Sequence, residues 1–430
     1  MRYNFTHLKI SFLVSVLLAA SLHTHAAIYT VTTTNDFSDP DLAAPECGNA
    51  TIGCSFRAAI EQANFNAGFD TVNLMASTHW LTNGIVHITD SLAIRGVSKN
   101  SSRIRPAVGI KQGIIEIKDG AFVSISEATF SHANAAQGLS NRQSAIVVKA
   151  SSFLYAYDIN VVDNVAFGYP ASGIYNLGGT AYLYRLYAAN NVIDPSIIND
   201  PSIRDRNRGG AINTSSFNSV EAETWISDST FENNSATYGG AILHNSSNGG
   251  TYIDNSTIIN NTVPADGAGA SLFVSRGPLY LAYSFVDGNP QGITPANIHV
   301  STNAMLVAGG SVLSGPAKRT CRTAGTSGFV LSMGGNVIDT LDTTKCTAIT
   351  FNDTVGTFDQ KEVGHQLIMP GSGDTFTPTA KPVTSLPWVD NGQTTLWIGI
   401  DNDWFFNCST SDQRGAPRND WACDSGAYEQ

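Results

Sequence analysis

The sequence predicts an all-β fold whose body is a parallel β-helix. First, the segment Thr224–Asn245 recurs 27 residues later, beginning at Thr251, and further copies follow in both directions. Second, each copy holds two or three short runs rich in Val, Ile, Thr, Phe and Tyr, without helical spacing. Third, Asn-Asn or Gly-Gly pairs separate these runs, as expected where strands turn corners. Such a period indicates stacked units that bury a common core.

The first 26 residues have the features of a secretory signal peptide. Arg2 and Lys9 precede an apolar run from Ile10 to Leu22, and the small residue Ala26 ends the segment. The apolar run is too short to span a bilayer. We therefore predict an exported protein, extracellular or on the outer cell surface with the periplasm as an alternative, and no transmembrane span after signal removal.

Residues 27–71 are predicted to form an N-terminal cap. A short amphipathic helix is expected there, because Ser55 is a good N-cap residue and Phe56, Ile60 and Ala63 fall on one helix face. Such a helix can cover the open apolar end and the unpaired strand edge of a β-helix.

Residues 72–349 are predicted to contain roughly nine or ten coils of about 27 residues. Asparagines recur in one register and are predicted to stack as a ladder at one corner: Asn164, Asn191, Asn234 and Asn261. Asn tolerates the left-handed backbone conformation, and its amide can bond to the copies above and below. One step of 43 residues is one period plus a 16-residue insert, Ile193–Arg208.

Two columns of mostly apolar side chains are predicted to point into the core. The first column comprises Ala156, Leu183, Ile226, Ile253 and Tyr280. The second comprises Val161, Ala188, Phe231, Ile258, Phe285 and Val312.

Aromatic residues recur on the outward-facing side of the first column. The equivalent positions are Tyr155, Tyr182, Trp225 and Tyr252, with Tyr157 and Tyr184 two residues further along their strands. A contiguous exposed apolar patch often marks an interaction site, and flat rings at strand spacing would offer sugar rings a platform. The alternative is that the insert or the C-terminal tail folds back and buries these side chains.

The insert carries three arginines at alternate positions: Arg204, Arg206 and Arg208. In an extended segment they would lie on one side and offer bidentate donors to carboxylate or sulfate. A loop satisfied by its own Asp residues is the alternative. With the aromatic residues, these arginines are the candidate glycan-binding residues, and an acidic glycan or a cell-surface or matrix component is the candidate partner.

The charge excludes some partners and cofactors. The net charge is −11, and loss of Arg2 and Lys9 with the signal peptide brings it to −13, so nucleic acid is not expected to bind. The histidines show no metal-ligand spacing, and Asp401-Asn402-Asp403 has Phe residues where a calcium loop needs a ligand and a glycine. We predict no metal and no cofactor.

Six cysteines fall in three near-neighbour pairs, which favours local disulfides in an exported chain. The predicted pairs are Cys47–Cys54, Cys321–Cys346 and Cys408–Cys423. Each bridge would stabilise a segment without two-sided stacking by about 2–4 kcal/mol. Zinc is the alternative, but no C-x-x-C motif supports it.

Residues 350–430 are predicted to form a loop-rich C-terminal cap. From Thr350 onward the period is lost, and Pro, Gly, Asp and Thr dominate the composition. Such a composition is typical of loops.

Three parts of the sequence resemble modules of exported bacterial proteins. The segment Cys54–Asn64 resembles a CSLREA module, with Phe56 and Ala58 at two altered positions. The Gly-Gly-Ala-Ile tetrapeptides and Phe231–Asn234 resemble repeats of polymorphic outer-membrane proteins. Leu386–Gly392, Asp412–Arg418 and Cys423–Glu429 are similar to a choice-of-anchor Q module, with Ser425 in place of its usual Ile. The resemblance implies a right-handed parallel β-helix of the pectin-lyase-like superfamily and leaves the activity open.

The function predicted from these features is that of a secreted or surface-associated, adhesin-like binding protein, directed at glycans or surfaces. A polysaccharide lyase or glycoside hydrolase acting on acidic polysaccharide is the alternative, and a structural matrix protein is a third. Hydrolysis needs two carboxylates facing one groove, but acids such as Asp158 and Asp228 fall in different columns. Lysis needs a base and a cation, and nothing in the sequence distinguishes Arg185, Lys149 or Lys118. No catalytic residue is assigned.

Overall fold

The protein is a parallel β-solenoid of about eight turns, which confirms the all-β parallel β-helix predicted from the repeat. The computed structural model describes residues 26–135, 144–167, 171–193, 208–288, 296–315, 320–325, 327–334, 336–339, 346, 348–349, 354–356, 365–368, 379–382, 395–397, 405–407 and 411–414. Two early coils are longer than the period, because Ile94 pairs with Ile125 and Ile125 with Ala156, which are steps of 31 residues.

The coils form three parallel sheets, and most coils contribute one strand to each sheet. Sheet 1 contains Ile28–Thr30, Asp70–Asn73, Leu92–Arg95, Phe122–Ser126, Phe153–Tyr157, Thr180–Tyr184, Glu223–Ser227, Thr251–Asp254, the second part of Leu272–Ala282, Ala304–Gly309, Phe329–Ser332 and Ala348–Ile349. Sheet 2 contains Thr78–Leu81, Arg103–Pro106, Thr129–Ser131, Asn160–Val162, Tyr187–Ala189, Thr230–Glu232, Thr257–Asn261, Phe285–Gly288, Val312–Ser314, Val337–Asp339 and Thr354–Gly356. Sheet 3 contains Val86–Ile88, Ile115–Ile117, Ile146–Val148, Ile174–Leu177, Ile212–Ser215, Ile242–Asn245, the first part of Leu272–Ala282, Ile298–Val300 and Cys321–Thr323.

Shorter strands complete the described structure. Asn134–Ala135, Val165–Ala166 and Val192–Ile193 pair in parallel at the corner between sheets 2 and 3. Two antiparallel pairs follow the coils, His365–Ile368 with Thr379–Pro382 and Thr395–Trp397 with Phe405–Asn407.

The first predicted core column is correct up to Ile253. Ala156, Leu183, Ile226 and Ile253 pair in succession along sheet 1, and all four side chains are buried. Ile253 then pairs with Leu281, whereas Tyr280 pairs with the outward-facing Tyr252. Placing Tyr280 in the core column is therefore wrong.

The second predicted column fails in the same coil. Ile258 pairs with Val286 instead of Phe285. Val286 in turn pairs with Leu313 instead of Val312. Phe285 and Val312 are buried but point away from the main core cluster, which contains Val286 and Leu313.

A β-bulge explains why the register error could not be seen in the sequence. The step from Ile253 to Leu281 is 28 residues, one more than the period. The extra residue is compensated between Ile259 and Asn261, where the register shifts so that Asn261 pairs with Gly288. A bulge leaves one residue of a strand unpaired, so a constant 27-residue spacing at the corner conceals a slip between the corners.

The asparagine ladder is confirmed. Asn164 Nδ2 donates to Asn191 Oδ1 at 2.8 Å, Asn191 Nδ2 donates to Asn234 Oδ1 at 2.9 Å, and Asn234 Nδ2 donates to Asn261 Oδ1 at 3.0 Å. All four side chains are fully buried, so each amide replaces the hydrogen bonds that water would otherwise supply. Asn234 also donates to Ala188 O and ties one coil to its neighbour.

A second, unpredicted ladder runs along the corner between sheets 1 and 2. The backbone amides of Ser229, Ser256 and Ser284 each donate to the hydroxyl oxygen of the equivalent serine in the next coil, at 3.1–3.2 Å. The hydroxyls of Ser229, Ser256 and Ser284 each donate to the carbonyl two residues earlier, at 2.7 Å. Serine is so common in this chain that its recurrence here carries no clear signal in the sequence.

The paired glycines start sheet 3. Gly239 has a φ of 65°, which an L residue adopts only at a cost. A Cβ atom on the following Gly240 would lie 2.2 Å from Ala270 O in the next coil. The pair therefore meets two separate requirements, a left-handed turn and close approach of two backbones.

The N-terminal helix runs from Phe56 to Phe65 and contacts the first strands of sheets 1 and 3. Ser55 caps it by accepting a hydrogen bond from Ala58 N at 3.0 Å. Phe56, Ile60 and Ala63 are buried in the main core cluster. The helix face predicted to cover the end of the core does so.

A buried ion pair fixes the chain before this helix. Arg57 Nε donates to Asp36 Oδ1 at 2.7 Å, and Arg57 Nη2 donates to Gly84 O at 2.6 Å. Asp36 also accepts hydrogen bonds from the backbone amides of Thr82 and Asn83. Burial favours the protonated carboxyl, but these hydrogen bonds outweigh it and lower the pKa of Asp36.

Two of the three predicted disulfides are confirmed. Cys47 bonds to Cys54 and Cys321 bonds to Cys346, with Cα atoms 5.2 and 5.5 Å apart. Cys408 and Cys423 lie outside the described residues, so that pair stays a prediction. The signal peptide also lies outside them, except for Ala26.

A C-terminal segment returns to the middle of the solenoid. Gln413 is buried against sheet 2, where its Oε1 accepts from Thr257 Oγ1 at 2.7 Å and its Nε2 donates to Ser229 O at 3.1 Å and Thr230 Oγ1 at 2.8 Å. Asp412 beside it is buried and accepts from Arg414 Nε at 2.6 Å. No helix among the described residues is long and apolar enough to cross a membrane.

Candidate functional site

The predicted aromatic residues do form one column on the outer face of sheet 1. Tyr155 pairs with Tyr182, Tyr182 with Trp225 and Trp225 with Tyr252, each in the same strand register. Tyr280, wrongly predicted to be inside, extends the column by one coil. Sheet 1 brings these side chains together because equivalent positions of parallel strands lie about 4.8 Å apart.

The rings stack face to face. Trp225 lies at 6.3 Å from Tyr182 and 3.7 Å from Tyr252, measured between ring centroids, with interplanar angles of 14° and 10°. Tyr252 and Tyr280 continue the stack at 4.9 Å and 3°. Rings stacked in this way cover one another's faces and turn their edges outward, so the middle of the column is not a flat platform.

Burial increases toward the C-terminal end of the column. Tyr155 is 39% exposed, whereas Tyr252 and Tyr280 are 7% and 8% exposed. Tyr252 and Tyr280 belong to a satellite cluster with Val307, against which Trp225 and Met305 pack. This half of the column is therefore a satellite core, but Val307 and Met305 belong to sheet 1 itself, so covering by the insert or the C-terminal tail stays a prediction.

The N-terminal end of the column is open. In the preceding coil, Tyr155 pairs with Ser124 and Tyr157 pairs with Ser126. The described residues therefore place a small side chain, not a ring, on that side of both tyrosines. The ring centroids of Tyr155 and Tyr157 are 5.7 Å apart and the rings are tilted by 49°, so these two rings are not stacked.

Charged residues surround this open end. Arg185 Nε donates to Asp158 Oδ1 at 2.7 Å, and Arg185 Nη2 forms a second bond to Asp158 Oδ2. The guanidinium lies over the Tyr184 ring, with Cζ 4.4 Å from the centroid. Hydrogen bonding to Asp158 raises the pKa of Arg185, which keeps the guanidinium charged. Burial raises the pKa of Tyr155, and the neighbouring Tyr157 adds to this.

Both members of the ion pair have unusual backbone conformations. Asp158 and Arg185 have φ values of 54° and 51°, as do the equivalent residues Asp228 and Asn255 at 51° and 47°. Asn and Asp tolerate this left-handed region, but Arg does not favour it. The corner thus holds an arginine where the fold alone would favour Asn, Asp or Gly, and this points to a role for its side chain.

Asp228 is a second carboxylate beside Tyr184. It accepts a hydrogen bond from Asn255 Nδ2 at 2.5 Å, and Tyr184 also donates to it. Burial raises the pKa of Asp228 to about 6, although the hydrogen bonds and Arg185 oppose the shift. Asp412 of the C-terminal segment is close enough to add a small increase.

The arginine insert does not lie on this face as far as the structure describes it. Arg204 and Arg206 lie outside the described residues. Arg208 forms a backbone bridge with Tyr238 at the start of sheet 3, and its carbonyl accepts from Ala171 N at 2.8 Å. The C-terminal end of the insert is therefore on a different sheet from the aromatic column.

The sequence analysis did not identify the charged residues at the open end as part of a site. Arg185 and Asp158 are 27 residues apart and meet only because the corner places consecutive coils in contact. Their equivalent positions, one residue after Tyr157 and Tyr184, are the signal that was available in the sequence. Arg95 was not singled out, yet it pairs with Ser126 and so lies in the same outward column as Tyr157.

Fold and site together define a class, a parallel β-helix protein with an aromatic column and paired charges on its outer face. No family model matches the chain, and no curated protein matches it. The modules that the sequence resembles are therefore not confirmed.

Two solved structures are similar to this chain. ORF18 of Geobacillus virus E2 is 13% identical, with a TM-score of 0.36, over 82% of this chain and 63% of its own. This chain therefore spans slightly less than two thirds of that protein. The A-module of the mannuronan C-5 epimerase AlgE6 from Azotobacter vinelandii is also 13% identical, with a TM-score of 0.30, over 70% of this chain and 94% of its own. These likenesses are too weak to carry an argument about function.

Proposed function

We propose that the protein is an exported, surface-associated binding protein that recognises a glycan at the open end of its aromatic column. One observation carries this proposal. The column ends at Tyr155 and Tyr157, whose neighbours in the preceding coil are Ser124 and Ser126. The outer face therefore drops from two tyrosine rings to two small side chains, and we call this place the step. Sugar rings present C–H groups to aromatic faces, and exposed large apolar side chains on a rigid sheet favour such binding.

The charges favour an acidic glycan. Arg95 is exposed and lies in register with Ser126, on the opposite side of the step from Tyr157. Two strand spacings, about 10 Å, separate Arg95 from Tyr157. A sugar stacked on Tyr157 would bring its carboxylate toward the Arg95 guanidinium, whose parallel N–H donors can bind a carboxylate in a bidentate way.

Affinity measurements with purified protein test this proposal. Tyr155→Ala with Tyr157→Ala should weaken retention on polygalacturonate or alginate, while the melting temperature falls much less than for Trp225→Ala, because Tyr155 is 39% exposed and Tyr157 is only partly buried. Tyr155→Phe with Tyr157→Phe is the matched control, since it keeps both rings and should retain binding. Retention of the Ala variant equal to that of the parent protein would show that the step is not the site.

A second candidate function is elimination on an acidic polysaccharide, favoured by the raised pKa of Asp228 beside Tyr184 and Arg185. In that reaction a base removes the proton on the carbon next to the carboxylate, the C4–O bond breaks, a C4=C5 double bond forms and the leaving oxygen gains a proton. A cation such as Arg185 would stabilise the charge that develops on the carboxylate. Ultraviolet absorbance of unsaturated ends should appear with the parent protein and vanish with Tyr184→Phe. No absorbance from uronate polymers would leave binding as the function.

Export and the module resemblances are part of the proposal. The described disulfides are compatible with an extracellular location. Expression with the natural N-terminus in a secreting host should give a product that begins at Ala27, as determined by N-terminal sequencing. A product that begins at Met1 inside the cell would contradict export.

A further inference from the structure

We infer that the outer face of sheet 2 carries a second binding site, formed by Trp80, Arg103 and Arg105, which takes the sulfate or carboxylate groups of an acidic glycan. This site lies on a different sheet from the step and does not depend on the function proposed there, although Arg95 at the edge of the step continues the same band of positive charge. The three residues lie on two adjacent strands, Thr78–Leu81 and Arg103–Pro106. Thr78 pairs with Arg103 and Trp80 pairs with Arg105.

Within the part of the chain that the structure describes, the two guanidinium groups have no acidic partner. Among the described residues, neither Arg103 nor Arg105 forms an ion pair, and Arg105 Nε is buried with no hydrogen-bond partner. The segment from residue 95 to residue 105 contains four cations and no acid, in a chain of net charge −11. Unpaired positive charge concentrated in an acidic protein favours binding of an anion.

Trp80 holds one of these guanidinium groups in place. Arg105 Cζ lies 4.9 Å from the centroid of the Trp80 ring, which is 36% exposed. A guanidinium stacked on an indole has lost much of its rotamer freedom, so less entropy is lost when it binds an oxyanion. Arg103 is exposed two residues away on the same side of the strand and offers a second fork.

Both arginines also act on a nearby histidine. His132 follows the neighbouring strand, and its pKa is lowered by burial first and then by Arg105 and Arg103. Asp163 is the acid that acts on His132 in the opposite direction. Its carboxylate accepts from Asn190 Nδ2 at 3.0 Å.

The arrangement fits a polysaccharide chain better than a membrane. Arg95 is exposed on sheet 1, whereas Arg103 and Arg105 lie on sheet 2, beyond the corner of the same coil. A flat lipid surface contacts cations in one plane, but a flexible polyanion can follow a corner. The repeated acidic groups of a glycan therefore match this band of charge.

Isothermal titration calorimetry on the full-length mature protein tests the inference with three hexasaccharides: a sulfated one from heparin, a carboxylated one from polygalacturonate, and neutral maltohexaose. We expect binding of at least one acidic probe and none of the neutral probe. The probe that binds shows whether sulfate or carboxylate is preferred. Arg103→Ala with Arg105→Ala should weaken that binding about tenfold or more, because each charge-assisted fork is lost.

Two variants serve as controls. Arg276→Ala with Arg322→Ala removes the same charge from exposed positions on other parts of the solenoid and should change the affinity by less than about twofold. Arg103→Ala alone removes only an exposed side chain and should fold normally, so it gives a partial loss even if the double variant is unstable. Tyr155→Ala with Tyr157→Ala should leave binding of the sulfated probe intact, which separates this site from the step.

Several results would overturn the inference. These are no binding of either acidic hexasaccharide, an equal loss of affinity in the Arg276 and Arg322 variant, or binding to phosphatidylglycerol vesicles without binding to either acidic hexasaccharide. The last result would assign the arginines to a lipid surface instead.

Discussion

At the scale of single residues, this fold depends on side chains that satisfy buried polar groups. The Arg57 guanidinium bonds to Asp36 and to the carbonyls of Gly84 and Ile85, so it joins the N-terminal segment, the helix and the first coil. The position could be recognised from the sequence as part of a motif, but its partners could not. Asp36 is 21 residues away in a segment without a repeat, and only the folded loop brings it to the arginine.

Arg57→Ala should lower the free energy of unfolding by about 3–5 kcal/mol, because it leaves the Asp36 carboxylate buried and uncompensated. Arg322→Ala, at an exposed arginine, should cost less than about 0.5 kcal/mol. Chemical denaturation monitored by circular dichroism measures both. Equal effects of the two substitutions would show that the ion pair does not stabilise the cap.

The ion pair of Arg57 and Asp36 also predicts how the stability of the protein falls at acidic pH. The folded pKa of Asp36 is lowered, so its contribution is complete above the ordinary pKa of an aspartate and is lost as the pH falls through the lowered value. Asp36→Asn should therefore flatten the decline of the melting temperature between neutral and strongly acidic pH. A decline as steep as that of the parent protein would assign the acid sensitivity to other carboxylates.

At the scale of structural elements, corners were more predictable than strands. The ladder from Asn164 to Asn261 follows directly from sequence spacing, because only one side-chain type repeats there and its chemistry is specific. Strand register between the corners tolerates a bulge, as between Ile259 and Asn261. Tyr280 and Phe285 are each followed by another apolar residue, which leaves the parity of these strands ambiguous in the sequence. The ion pair of Asp158 and Arg185 depends on contact between coils, which periodicity alone does not reveal.

Asn234→Ala should destabilise the solenoid by about 3 kcal/mol or more. The substitution removes the Oδ1 acceptor that Asn191 N and Nδ2 share and the Nδ2 donor to Ala188 O, all of them buried. Asn190→Gly is the control, because that side chain is exposed and its φ of 55° suits glycine. Thermal unfolding of the two variants compares them, and similar midpoints would mean that the ladder contributes little.

Trp225→Ala should also lower stability by several kcal/mol, about 3–5, since the indole fills the stack between Tyr182 and Tyr252. Tyr155→Ala, at the open end, should have a much smaller effect. A Trp225→Ala protein with an unchanged melting temperature would show that this half of the column is a surface rather than a satellite core.

At the scale of the whole molecule, the described C-terminal segment is held by the middle coils. Gln413 bridges two consecutive coils through Thr230 and Thr257, although 156 residues separate it from the nearer of them. Similarity to a known module marked this segment as distinctive in the sequence. Its docking position was not predictable, because nothing in the composition of sheet 2 distinguishes these threonines from the others.

Gln413→Ala should release this segment while the coils stay folded. Thr230 and Thr257 would lose a buried hydrogen-bond partner, and the backbone near Ser411 to Arg414 should exchange amide hydrogens faster. Hydrogen exchange with mass spectrometry measures this, with Thr180 to Tyr184 as the internal reference. Unchanged exchange at Ser411 to Arg414 would mean that other contacts hold the segment.

The asparagine ladder has a consequence for how such a chain changes length. Because Asn191 and Asn234 each donate from N and Nδ2 to the next asparagine of the ladder, excision of the coil that contains Asn234 would let Asn191 make the same contacts with Asn261. The solenoid can therefore shorten or lengthen by whole steps of about 4.8 Å without a new type of junction. Gln413 limits such changes in length, because it forms hydrogen bonds with two particular coils. A deletion that removes Thr257 would remove one of these bonds.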